Sequence, residues 1–104
     1  MTSSKSDVSV AIAMDVRFTV DTLVVDLADG RSLSVPIAWY PRLAHATPAE
    51  RASWQLIGHG QGIHWPSVDE DLSIESLLAG RRSGESQRSL KRWLEGRTHP
   101  KQAF

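Results

Sequence analysis

The stretch TLVVDLADGRSLSV, Thr22 to Val35, decides the fold class. Its first half, Thr22 to Leu27, is rich in β-branched and aliphatic residues, which favour a buried strand. Asp29-Gly30 follows, the dipeptide of a two-residue type I′ hairpin turn, which needs positive φ at both central positions. On the return, Leu33 and Val35 alternate with Ser32 and Ser34, the period-2 signature of a strand with one face in the core. Residues 22–35 therefore read as a β-hairpin.

Upstream, Val16, Phe18 and Val20 alternate with Asp15, Arg17 and Thr19. Asp15 to Val20 is the expected neighbouring strand. Downstream, Pro36 ends the return strand by removing a backbone donor. Ile37, Tyr40 and Leu43 then recur at helical spacing, with Pro41 suited to the first turn of a short helix. Thr47-Pro48-Ala49-Glu50 is a capping-box start, with Thr47 as N-cap, Pro48 at N1 and Glu50 at N3. Trp54 to Ile57 and Ile63 to Trp65 read as two short strands around the glycine-rich Gly58-His59-Gly60-Gln61-Gly62. Ile63 and Trp65 share one face, His64 takes the other, and Pro66 closes the second strand.

The acidic run Asp69-Glu70-Asp71 is expected to lead into a helix whose stripe is Ile74, Leu77 and Leu78. Ser73 is its expected N-cap and Gly80 its C′ residue. Beyond a break at Gly80 to Gly84, residues 85–97 form a further amphipathic helix edged by Leu90, Trp93 and Leu94. The fold class is α+β: a small, mostly antiparallel β-sheet with short helices and a C-terminal amphipathic helix. Residues 1–9 read as a disordered polar leader, 10–80 as the domain, and 81–104 as a basic helical arm.

Composition narrows the function classes. The 104 residues are 40% apolar and 23% charged, ordinary values for one globular domain. There is no cysteine, which excludes disulfides, a thiol nucleophile and thiolate metal sites. No run of about 20 apolar residues is present to span a bilayer, and the expected compartment is the cytoplasm. The net charge of zero conceals an asymmetry. Residues 1–80 have a balance of −5 and residues 81–104 a balance of +5. Such an arm meets a polyanion, an acidic partner or its own body.

No constellation for catalysis, a cofactor or a metal emerges. His59 and His64 are five apart across two glycines, whereas metal-binding pairs on a helix are spaced i, i+3 or i+4. The glycine loop leads into a strand rather than a helix, so it is no dinucleotide fingerprint, and no Gly-Lys-Ser/Thr makes it a P-loop. No serine sits in a Gly-x-Ser-x-Gly elbow. Asp29 already has a turn role, and Asp26 falls on the exposed side of its strand. The chain therefore reads as non-enzymatic.

The candidate binding residues lie in the arm: Arg88, Leu90, Lys91, Arg92, Trp93 and Leu94. Their apolar edge either docks on the domain itself or enters a partner's groove with i, i+3, i+4 anchors. The surrounding cations suit an acidic protein surface or, as the alternative, nucleic-acid phosphates.

Taken jointly, Asp29-Gly30, Pro41-Arg42-Leu43, Ile63-His64-Trp65-Pro66 and Asp71-Leu72-Ser73-Ile74-Glu75 followed by Leu77-Leu78 resemble DUF2442, a family of small bacterial domains of unknown function. The resemblance covers residues 10–80 and leaves the basic segment 81–104 outside. It implies a small α+β domain without attributed catalytic residues. It also implies an antitoxin-like protein that neutralises a small cognate partner. Regulatory DNA binding through the basic arm, as a homodimer, is the alternative expectation; it rests on the arm's charge and not on the resemblance, which leaves 81–104 outside.

Overall fold

The computed structural model describes residues 11–98; the expected leader, residues 1–9, lies outside them. Two three-stranded antiparallel sheets share one core. The first runs in the order β1-β2-β3, with β1 at Ala13–Phe18, β2 at Thr22–Leu27 and β3 at Ser32–Pro36. Leu23, Val25 and Leu27 of β2 point inward beside Val16 and Val35. This strand is the most buried of its sheet, as its composition requires.

The hairpin closes differently from the type I′ expectation. Gly30 has φ 97°, but Asp29 is not in the left-handed region. The Leu27 carbonyl accepts the Gly30 N–H at 3.1 Å, while the Leu27 N–H donates to the Arg31 carbonyl at 2.8 Å. This is the pattern of a turn followed by a left-handed glycine bulge. The Asp29 carboxylate accepts the Arg31 N–H at 3.0 Å. That Asx bond gives Asp29 a local partner without positive φ.

Strand β1 begins and ends two residues before its expected bounds. Val20, expected on the inner face, is 93% exposed. The chain reverses at Thr19, whose N–H donates to the Thr22 carbonyl at 2.9 Å and whose hydroxyl accepts the Thr22 N–H at 3.1 Å. Side-chain capping of the reversal outweighs Val20's strand propensity. At the other end the pairing slips between Ala13 and Asp15. Met14 is the extra residue, and both Ala13 and Val16 are buried.

The second sheet runs β4-β5-β6, with β4 at Gln55–Ile57, β5 at Gly62–Trp65 and β6 at Glu70–Ser73. Strand β6 replaces the acidic lead-in expected before a helix. Asp69, at φ 54°, turns the chain back, and Glu70 then pairs with Trp65. Alternation along β6 puts Glu70 on the same face as the buried Leu72, while Asp71 points outward and meets the His64 Nδ1 across the ladder. Trp65 is fully buried, and its indole N–H donates to the Arg51 carbonyl at 3.0 Å. Phe18 meets Trp65 edge-on at 6.2 Å, tying the two sheets together.

Gly60 explains the glycine-rich turn. Its φ is 88°, and a Cβ there would lie 2.6 Å from Ile12 Cγ2 and 3.2 Å from the Ala13 carbonyl oxygen. The turn packs directly on the start of β1, which only glycine permits.

Four α-helices complete the fold among the described residues. Helices α1, Pro41–Ala44, and α2, Pro48–Arg51, lie between the sheets in sequence. The Thr47 capping box of α2 is complete, with the Glu50 N–H on Thr47 Oγ1 at 3.1 Å and the Thr47 N–H on Glu50 Oε1 at 2.8 Å. Ser73 caps α3, Ile74–Leu78. The Gly80 N–H to Leu77 and the Arg81 N–H to Ser76 close that helix in a Schellman motif. Helix α4 is Gln87–Thr98. Among the described residues no helix is long and apolar enough to cross a membrane.

Candidate functional site

Helix α4 is held to the domain along one stripe of side chains. Ser89, Trp93 and Arg97 recur every four residues, the spacing that lines up successive turns of one helix face, and Glu85 continues the series just before the helix begins. Ser86 starts the helix by accepting the Ser89 N–H at 3.0 Å.

At its N-terminal end the partner is Arg42 of α1. Its guanidinium grips the Glu85 carboxylate, with Nη2 at 2.8 Å and Nε at 3.0 Å from both oxygens. Nη1 also donates to the Val68 carbonyl at 3.2 Å. The Ser89 hydroxyl donates to Glu85 at 2.8 Å. The two side chains are 18% and 10% exposed, so the pair is largely desolvated yet well hydrogen-bonded. The Arg42 hydrogen bonds hold the Glu85 carboxyl below its ordinary range and raise Arg42 above its own.

At the other end Arg97 forks onto Glu50, at 2.8 and 3.0 Å. Glu50 is the capping-box residue of α2, so a single carboxylate serves both the helix cap and the arm. Its carboxyl is held down at about 2, first by Arg97 and then by the Thr47 backbone. Between these anchors Trp93 packs against the core, with Arg42 at 5.1 Å on its ring and Arg97 at 4.6 Å. Two guanidiniums on one indole are a double cation–π contact.

The six arm residues identified from the sequence thus divide. Trp93 is turned to the domain. Leu90 and Leu94 are half-buried and, with Gln87, Arg88 and Lys91, line a shallow depression on the helix. Arg88, Lys91 and Arg92 are exposed, and none forms an ion pair among the described residues. Arg82 nearby stacks on Trp39 at 4.8 Å.

Beside this dock, Tyr40, Glu70, Leu72, Leu77, Arg81 and Ser83 line a cavity of about 210 Å³. The Tyr40 hydroxyl donates to the Arg81 carbonyl at 2.7 Å, and burial raises its pKa. Burial also pushes the Glu70 carboxyl up to about 7, against the opposing pull of Arg42. Its carboxylate accepts no hydrogen bond among the described residues. Such a group can hold a proton near neutral pH. Among the described residues no group of three or more His, Asp or Glu side chains could hold a metal ion.

Sequence reading missed both the Arg42–Glu85 anchor and Glu70. Arg42 stood out only within a family-like tripeptide, and Glu85 only beside a break. The signal for Glu70 was its period-2 phase with Leu72.

The molecule is therefore a small α+β domain of two antiparallel sheets with a docked basic helix. It belongs to the DUF2442 family, described as proteins of unknown function, whose sequence profile matches residues 13–83. The crystal structure of a protein of unknown function from Rhodospirillum rubrum is similar, at 26% identity and a TM-score of 0.64, over 74% of this chain and 95% of that one. The solution structure of an uncharacterized protein from Chromobacterium violaceum shares the fold, at 22% identity and a TM-score of 0.64, over 86% of this chain and 82% of that one. No curated protein matches the chain.

Proposed function

We propose that this chain is a non-catalytic, cytoplasmic protein-binding module whose α4 presents Arg88, Lys91 and Arg92, around Leu90 and Leu94, to an acidic partner protein. One observation carries the reading. The cations between the domain and the arm, Arg42 of α1 and Arg97 of α4, are matched by Glu85 and Glu50. The outward three are exposed without a carboxylate at ion-pair distance among the described residues. Cations held on a docked helix are pre-organised, which lowers the ordering cost of association. The antitoxin-like role implied by the family resemblance is the form of this reading in which the partner is a small cognate toxin.

Nucleic acid is the second reading, favoured by the exposed Arg81 and Arg82 on the same segment. Capture from a lysate of the source cell at low and moderate salt separates the two, with the full chain compared against the triple variant Arg88→Ala, Lys91→Ala, Arg92→Ala. An acidic protein retained by the wild type at both salts and lost by the variant supports the module. Nucleic acid recovered only at low salt moves the function to phosphate binding. Equal capture by both chains removes α4 from the binding site.

A further inference from the structure

We propose that the free edge of β4 is a self-association surface, where two copies pair antiparallel through Gln55–Ile57 about a two-fold axis at Leu56. The two three-stranded second sheets would then become one sheet of six strands.

A sheet edge offers unpaired N–H and C=O groups, and proteins that stay monomeric block such edges with charges, prolines or bulges. Three of the four strand edges here are blocked. The bulge at Met14 interrupts β1, which also carries Asp15 and Arg17. Pro36 ends β3. Glu70 and Asp71 stand on β6, where a two-fold pairing through that acidic pair would set like charges together. Strand β4 has none of these devices, and all three of its residues are exposed. It lies within residues 52–68, the longest run of the chain without Asp, Glu, Lys or Arg.

The side chains point the same way. Leu56 pairs in register with Ile63, so both occupy one face. Ile63 is fully buried, whereas Leu56 is 38% exposed because no strand among the described residues lies beyond it. On the opposite face Ile57 lies over Gly62 and is 42% exposed. An added strand would cover both.

A second copy fits this edge because, about a two-fold axis, each residue meets its own kind or its mirror in the sequence. With the axis at Leu56, Leu56 faces Leu56 of the second copy, and Gln55 faces Ile57. No charge opposes its like, and the apolar row Ile63-Leu56 continues into the same row of the second copy. This surface is separate from the outward face of α4, so either assignment can fail without the other.

Sedimentation velocity of the full chain from micromolar to millimolar concentration is the first test, and a reversible monomer–dimer equilibrium is expected. Leu56→Lys should weaken it at least tenfold, with folding checked by circular dichroism, whereas Met14→Lys on the bulged β1 edge should leave it unchanged. Because the chain has no cysteine, Leu56→Cys gives an independent reading. Directly opposed antiparallel residues have Cα atoms about 4.5–5.5 Å apart, within disulfide reach. Oxidation should therefore trap a covalent dimer from Leu56→Cys and not from Met14→Cys. A wild-type chain that stays monomeric throughout, or a dimer that Leu56→Cys does not trap, overturns the proposal. So does a dimer as sensitive to Met14→Lys as to Leu56→Lys. A monomer whose β4 instead pairs with a strand of another protein overturns it equally.

Discussion

Glu70→Gln should stabilise the protein at pH 8 and leave it unchanged near pH 4.5. Glutamine keeps the shape of the side chain on the inner face of β6 but cannot ionise. The wild-type carboxyl is raised from an ordinary 4.5 to about 7, chiefly by burial. The folded state therefore retains a proton that the unfolded chain gives up between these values. Where the folded state binds more protons, stability falls as pH rises. The stabilising effect of the neutral form is thus complete below 4.5 and lost as pH climbs through 7. At about 1.4 kcal/mol per pH unit the displacement amounts to about 3 kcal/mol. Solvent reaching the partly exposed carboxylate reduces this to about 1–2 kcal/mol. For a domain of this size that corresponds to a rise of about 5–15 °C in Tm. Urea denaturation of both chains at pH 4.5 and pH 8 supplies a double difference, in which the histidines common to both cancel. Equal stabilities at pH 8, or a gap that is the same at both pH values, would refute the reasoning.

Further expectations concern the dock and the turns. Arg97→Ala removes the fork on Glu50 and one guanidinium from Trp93, and should cost about 1–2 kcal/mol. Hydrogen exchange should quicken along α4 before it does in the sheets. The Glu50 carboxyl is held at about 2 instead of 4.5, so its contribution is complete above pH 4.5 and disappears as pH falls towards 2. In Arg97→Ala this acid sensitivity should shrink without vanishing, since the Thr47 N–H bond remains, as acid unfolding of the two chains will show. Gly60→Ala drives a Cβ into Ile12 and should cost about 2–4 kcal/mol. Gly30→Ala, with φ 97° and open space around it, should cost only about 1 kcal/mol. Denaturant midpoints of these two variants measure the difference.

Where interactions are local, the sequence was readable. The alternation in Ser32 to Val35, the capping box from Thr47 to Glu50 and the Ser73 cap each depend on neighbours within a few positions, and each stands in the fold. The errors arose where a local signal had a competitor. Val20 continued an alternating pattern, but hydrogen bonds among Thr19, Asp21 and Thr22 turned the chain first. Asp69-Glu70-Asp71 resembled acids at a helix start, yet pairing with β5 drew Glu70 and Asp71 into a strand.

By itself the sequence determined the fold class, the family, the two hairpin strands of the first sheet and the position of a basic amphipathic helix. Periodicity, turn chemistry and composition act through nearby residues, so one dimension carries them. Tertiary structure alone decided that Arg42 meets Glu85 across 43 positions and that Arg97 meets Glu50 across 47. It also decided that Trp93 packs against the core and that no strand among the described residues covers the outer edge of β4. Those outcomes depend on which distant surfaces come within a few ångströms, and a charge or an indole has no local pattern that names its partner.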